Sequence, residues 1–178
     1  LAFGESPRWR DGRLWFCNWG TQEIVALDPD GRSEIVARAP TTLPYCIDWL
    51  ADGRLLVVSG PQALILRREQ NGTFVTHADL KALSSQFWNE IVVDGRGNVY
   101  VNGGGAAPPA GAMFGLSTIA LITPDGALRQ VADGFAFANG MAITPDNATL
   151  IVAESFGKKL TAFEIATDGS LSNRRVWA

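Results

Sequence analysis

NEIVVDGRGNVYVN, residues 89–102, reads as a hairpin: an apolar run Ile91–Val93, a glycine-containing turn, and a return run Val99–Val101. The fold is decided by the recurrence of this unit. Return runs of the same kind stand at RLWFC (13–17), RLLVV (54–58), NVYVN (98–102) and TLIVA (149–153). Each is followed by a second turn: DPDGR (28–32), EQNGT (69–73), TPDGA (123–127) and ATDGS (166–170). Asp-Gly and Asn-Gly suit tight hairpins because both residues tolerate positive φ. The turn glycines 31, 72, 126 and 169 lie 41, 54 and 43 residues apart. The long interval holds the Gly/Ala/Pro-rich insertion GGGAAPPAGAMFG (103–115), placed between the second and third strands of the third unit.

No stretch carries apolar residues at three- and four-residue spacing over the length of a helix. Four-stranded units repeating at such intervals are the signature of a β-propeller, whose blades stack face to face around a channel. A β-sandwich also has many short strands but has no reason to repeat so regularly, and it stands as the alternative. The expectation is an all-β propeller of four blades, each of four antiparallel strands, forming one domain over 1–178. The blades fall near 1–39, 40–80, 81–133 and 134–178.

The 178 residues are 47% hydrophobic and 19% charged, with a net charge of -3. They offer no basic surface for nucleic acid. No apolar run approaches the roughly 20 residues of a membrane helix. A soluble, cytoplasmic protein with neither nucleic-acid nor membrane partners is expected. Cys17 and Cys46 each lie in an apolar strand-like run and read as two buried thiols, not as a disulfide or a zinc site. His77, in FVTHADL, belongs to an outer strand at the surface. No G-x-S-x-G elbow is present.

In a propeller the first strand of every blade lines the axis, so equivalent starting positions gather at one mouth of the channel. Counting back from the aligned Leu14, Leu55, Val99 and Leu150 puts those starts near Glu5, Cys46, Asn89 and Asn139. Three of the four carry side-chain oxygens. Such groups are costly inside a sheet but reasonable at a mouth, where they can hold a cation or water. Carboxylate and amide oxygens without clustered His or Cys favour a hard ion, calcium before magnesium or zinc. Taken singly, each has a plainer reading. Glu5 can be a solvated glutamate, Asn89 a strand cap, and Asn139-Gly140 a hairpin turn.

At FGESPRW, WNEIVVDGRGNVYVN and FANGMAITPDNATLIVAESFGKKLTAFEIATDGSLSNRRVWA the sequence resembles the gluconolactonase and regucalcin (senescence marker protein) family. The resemblance implies a six-bladed propeller with one divalent cation, usually calcium, at the axial mouth, and hydrolysis of lactones or related esters. It places the metal glutamate on Glu5, the asparagine that contacts metal or substrate on Asn89, and the metal asparagine on Asn139. The family's fourth key residue, an aspartate, has no counterpart up to Ala178, so the resemblance implies an incomplete ring with its general base beyond Ala178. Open blade faces would then favour self-association.

Sugar-lactone members carry arginine where this chain has Phe87, and usually aspartate where it has Glu90. An aromatic mouth of Phe87, Trp88 and Trp19, with Asn89 and Glu90 as substrate contacts, would suit a less polar lactone or ester. The expected function is metal-dependent hydrolysis of lactones or carboxylic esters. The alternative is a non-catalytic propeller that binds a ligand or protein partner, with a structural cation or none.

Overall fold

The computed structural model describes residues 1–105 and 115–178, and most of the 103–115 insertion falls outside the described residues. Among the described residues sixteen strands form four antiparallel sheets in chain order. Blade 1 holds β1 (Gly4–Arg10), β2 (Arg13–Asn18), β3 (Glu23–Leu27) and β4 (Ser33–Arg38). Blade 2 holds β5 (Ile47–Trp49), β6 (Leu55–Ser59), β7 (Leu64–Arg68) and β8 (Phe74–Asp79). Blade 3 holds β9 (Trp88–Val93), β10 (Val99–Gly103), β11 (Ser117–Ile122) and β12 (Leu128–Phe135). Blade 4 holds β13 (Ala138–Ile143), β14 (Thr149–Glu154), β15 (Lys159–Ile165) and β16 (Leu171–Val176). The propeller read from the repeats is therefore present, and the sandwich alternative is not.

The four DG and NG turns close identically. Gly31, Gly72, Gly126 and Gly169 donate to the carbonyls of Asp28, Glu69, Thr123 and Ala166 at 2.8–3.0 Å. Each glycine has φ between 80° and 87°, a left-handed value that a side chain would oppose.

Packing follows the period-two alternation of a strand. In β6, Leu55 and Val57 face blade 1, where they meet Cys17 and Ile24, with Tyr45 from the segment leading into β5 in the same core. Leu56 and Val58 of the same strand face blade 3 and meet Ile91, Val99 and Val101. Tyr100 points the other way, into the core shared with blade 4, beside Met141, Leu150 and Phe163. β6 and β10 are buried along their whole length because each blade has a neighbour on both faces. β14 instead alternates, with Leu150 and Val152 buried against blade 3 and Ile151 half-buried on the outer face. On blade 1, Leu14 and Phe16 are half-buried and Ile35 is 57% exposed. The first strands lie innermost, β5 against β9 and β9 against β13. Both thiols are buried and unpaired, as expected from their apolar surroundings. Among the described residues no helix is long and apolar enough to cross a membrane.

Candidate active site at the axial mouth

The residues selected by counting occupy one structural position. Gly4, Trp88 and Ala138 pair with Asn18, Gly103 and Glu154, the corresponding residues of the second strands. The next residue in each first strand is Glu5, Asn89 or Asn139. All three ladders then slip by one residue before pairing resumes at Arg8–Trp15, Ile91–Val101 and Met141–Val152; Asn89 and Asn139 lie within their bulges, whereas Glu5 still pairs with Cys17 and its bulge falls on the next two residues. Such a bulge re-aims a side chain that would otherwise follow the pleat. Blade 2 pairs without a slip from Ile47–Val57 to Trp49–Leu55, and its Cys46 packs in the core between blades 2 and 3. The one blade without an oxygen-bearing side chain at this position is also the one without the bulge.

The bulges bring two of the three predicted side chains together. Asn89 Nδ2 donates to Asn139 Oδ1 at 3.2 Å, although the residues are 50 apart in sequence. Asn139 Nδ2 in turn donates to Ser155 Oγ at 3.3 Å. Glu5 stands at the equivalent place in β1 and is half-buried. Among the described residues no hydrogen bond joins it to either asparagine. Burial raises the Glu5 carboxyl above its ordinary range, with the Ser6 N–H opposing. A cation beside it would reverse that balance.

The three side chains expected as ligands are one carboxylate and two amides. They match the hard-ion pattern, which accepts neutral oxygens and variable geometry. No group of three or more His, Cys, Asp or Glu side chains placed to hold a metal ion occurs among the described residues.

The remaining residues expected at the mouth are placed differently. Glu90 is 3% exposed. Its Oε1 accepts from Arg8 Nη2 at 2.9 Å and from Ser6 Oγ at 3.0 Å, so it faces blade 1 and not a substrate. Burial pushes its carboxyl up, while the Arg8 guanidinium pulls it down. Trp88 is fully buried between blades 2 and 3, with its Nε1 donating to Ser84 O at 3.3 Å. The glycines after β10 leave room for the indole: a Cβ on Gly104 would sit 2.2 Å from Trp88 Cζ2. Trp19 is half-buried, donates to Tyr45 O at 2.6 Å and packs edge-on to Phe3 at 5.3 Å. The expected aromatic wall thus keeps only Phe87, which is 41% exposed.

Sequence reading missed two other aromatics. Phe137 lies two residues before Asn139, and Phe156 follows Ser155, the partner of the Asn139 amide. Their rings are 4.9 Å apart and Phe156 is 60% exposed. The repeated Phe in GFAFANG was the available signal.

Fold and site together define a β-propeller with a candidate polar site where the first strands of its blades begin. More narrowly, the chain belongs to the SMP-30/Gluconolactonase/LRE-like region family, whose sequence profile matches residues 3–178. The resemblance noted in the sequence is borne out. Among characterised relatives, the diisopropyl-fluorophosphatase of Loligo vulgaris is 29% identical over 137 residues, 71% of this chain and 44% of that protein. The L-arabinolactonase of Azospirillum brasilense is 40% identical over 50 residues, 28% of this chain and 17% of that one.

Among solved structures, a gluconolactonase from Xanthomonas campestris superposes with a TM-score of 0.79 at 23% identity, covering 99% of this chain and 62% of that one. A calcium-binding regucalcin from Agrobacterium tumefaciens gives 0.72 at 18% identity, covering 99% and 59%. The chain therefore spans less than half the length of the curated relatives and about three-fifths of these structural ones.

Proposed function

We propose that the chain belongs to a hydrolase of lactones or carboxylic esters that works with a divalent cation, calcium by preference. The observation that carries this reading is the convergence of Asn89 and Asn139 from two blades at the position that Glu5 occupies in a third. The names of the relatives, two lactonases and a fluorophosphatase, support hydrolysis as the reaction type.

Glu5 supplies the one formal negative charge of the donor set, and Asn89 and Asn139 supply neutral oxygens. A cation held by Glu5, Asn89 and Asn139 would supply Lewis-acid polarisation of a substrate carbonyl and stabilise the oxyanion formed on water attack. Ser155 orients the Asn139 amide, leaving its oxygen turned toward Asn89. Phe87, Phe137 and Phe156 place apolar surface near this pair, which favours substrates with a hydrophobic portion over polyhydroxylated sugars. Glu90 is held by Arg8 and Ser6, so no described residue is assigned as the general base.

The test is hydrolysis of a panel of five- and six-membered lactones and aryl esters by the expressed protein, with calcium and with a chelator. Turnover of at least one compound, lost with chelator and restored by calcium, is expected. Inactivity on the whole panel, or turnover indifferent to chelator, overturns the proposal.

A further inference from the structure

A bulge leaves backbone groups without ladder partners, and buried N–H and C=O groups must find others. In blade 3 the bulge sets two residues, Asn89 and Glu90, opposite one residue of β10, Asn102. Asn102 is fully buried. Its Oδ1 accepts the Glu90 N–H at 3.3 Å, and its Nδ2 donates to the Asn139 carbonyl oxygen at 2.6 Å. One side-chain amide thus serves the bulges of two adjacent blades, each beside an asparagine of the candidate site. The task needs a donor and an acceptor at the tip of a short side chain, which asparagine has and aspartate, serine and threonine do not match in length and polarity together.

The link continues on both sides. Ser6 Oγ accepts the Ile47 N–H at 3.1 Å and donates to Glu90 Oε1 at 3.0 Å. The sequence Ile47, Ser6, Glu90, Asn102, Asn139 therefore passes through all four blades in buried or part-buried hydrogen bonds. Its members immediately adjoin Glu5 and Asn89 and include Asn139 itself.

We propose that Asn102 is a positioning residue: it sets the separation of the Asn89 and Asn139 side chains and thereby the affinity of the site for its cation. The proposal rests on the reading of Glu5, Asn89 and Asn139 as cation ligands. Asn102 holds the two ligand-bearing backbones at fixed spacing and touches no substrate.

The test uses calcium alone as the probe, by titration calorimetry, alongside urea unfolding in chelator. Asn102→Ala removes both bonds. Asn102→Asp is isosteric, keeps the acceptor for Glu90 and loses the donor to Asn139, so it serves if the alanine variant fails to fold. Val101→Ala, a neighbouring buried core truncation that touches neither bulge amide, is the control for simple loss of stability. The Asn102 variants are expected to bind calcium at least about tenfold more weakly, the scale on which orienting partners of ligands act. Val101→Ala is expected to lose stability in chelator yet keep its affinity within about twofold, because it leaves those partners intact.

Unchanged affinity in the Asn102 variants, or an equal loss in Val101→Ala, overturns the positioning role while leaving the cation reading intact. If the unsubstituted protein binds no calcium, the cation reading itself fails and the proposal falls with it.

Discussion

Replacing Arg8 with Met tests the buried pair that ties blade 1 to blade 3. Arg8 Nη2 lies 2.9 Å from Glu90 Oε1 and 2.5 Å from Ile91 O, and the Glu90 side chain is 4% exposed. Met keeps much of the apolar stem but leaves a buried carboxylate without its counter-charge, which typically costs about 3–5 kcal/mol. Two neutral donors, Ser6 Oγ and the Ile91 N–H, remain on the carboxylate and place the expected loss near the lower end of that range, about 3 kcal/mol at pH 7.

The loss must depend on pH in a definite direction. Burial already raises the Glu90 carboxyl, and removing Arg8 takes away the main opposing influence. An acid whose folded value is raised holds its proton more tightly folded than unfolded. Its contribution is therefore most favourable below the unfolded value and declines as pH rises through the folded one. In Arg8→Met that decline extends to higher pH than in the parent, so the difference between the two proteins is small near about pH 4 and grows as pH rises. Urea unfolding of both proteins in chelator, at several pH values from acid to neutral, measures it. A penalty that is the same at every pH, or below about 1 kcal/mol at pH 7 where an exposed pair would fall, refutes the argument.

Asn139→Ala should weaken calcium binding at least about tenfold, and calorimetry should show it without a comparable loss of stability in chelator. Glu154→Gln should destabilise blade 4. Burial works to raise that carboxyl, but the bonds from Thr161 and the Ala136 N–H, with the charges of Lys159 and Arg174, hold it below its ordinary value. Its contribution is therefore present above the unfolded value and lost as pH falls through the folded one, so urea midpoints of parent and variant should converge in acid. Gly104→Ala should cost roughly 2–3 kcal/mol in thermal unfolding, because its Cβ would overlap the Trp88 ring at a backbone φ of 51°. Cys17 and Cys46, whose thiols burial pushes up, should resist a thiol reagent in the native state and react together on unfolding.

Much of the fold was legible because a repeat is a property of the chain. The four aligned return strands and the four glycine turns recur whether or not they are folded, and only a propeller makes them neighbours. The register of the site was legible for the same reason: Glu5, Asn89 and Asn139 lie 9, 10 and 11 residues before the aligned Leu14, Val99 and Leu150, and the structure joins the two asparagines at 3.2 Å. The direction of the adjoining side chains was not legible. Trp88 and Glu90 flank Asn89, yet one is buried between blades 2 and 3 and the other is paired with Arg8 of blade 1.

The amino-acid order alone determined that the chain forms four-stranded blades and, to within one residue, where each inner strand begins, since alternation and turn chemistry act over a few residues. Only the tertiary structure decided which way those residues face and what joins the blades. A one-residue bulge reverses the facing of the side chains beyond it, and Asn102, an unremarked polar residue in a strand, gains its partners from two bulges that meet only when blade 4 packs on blade 3.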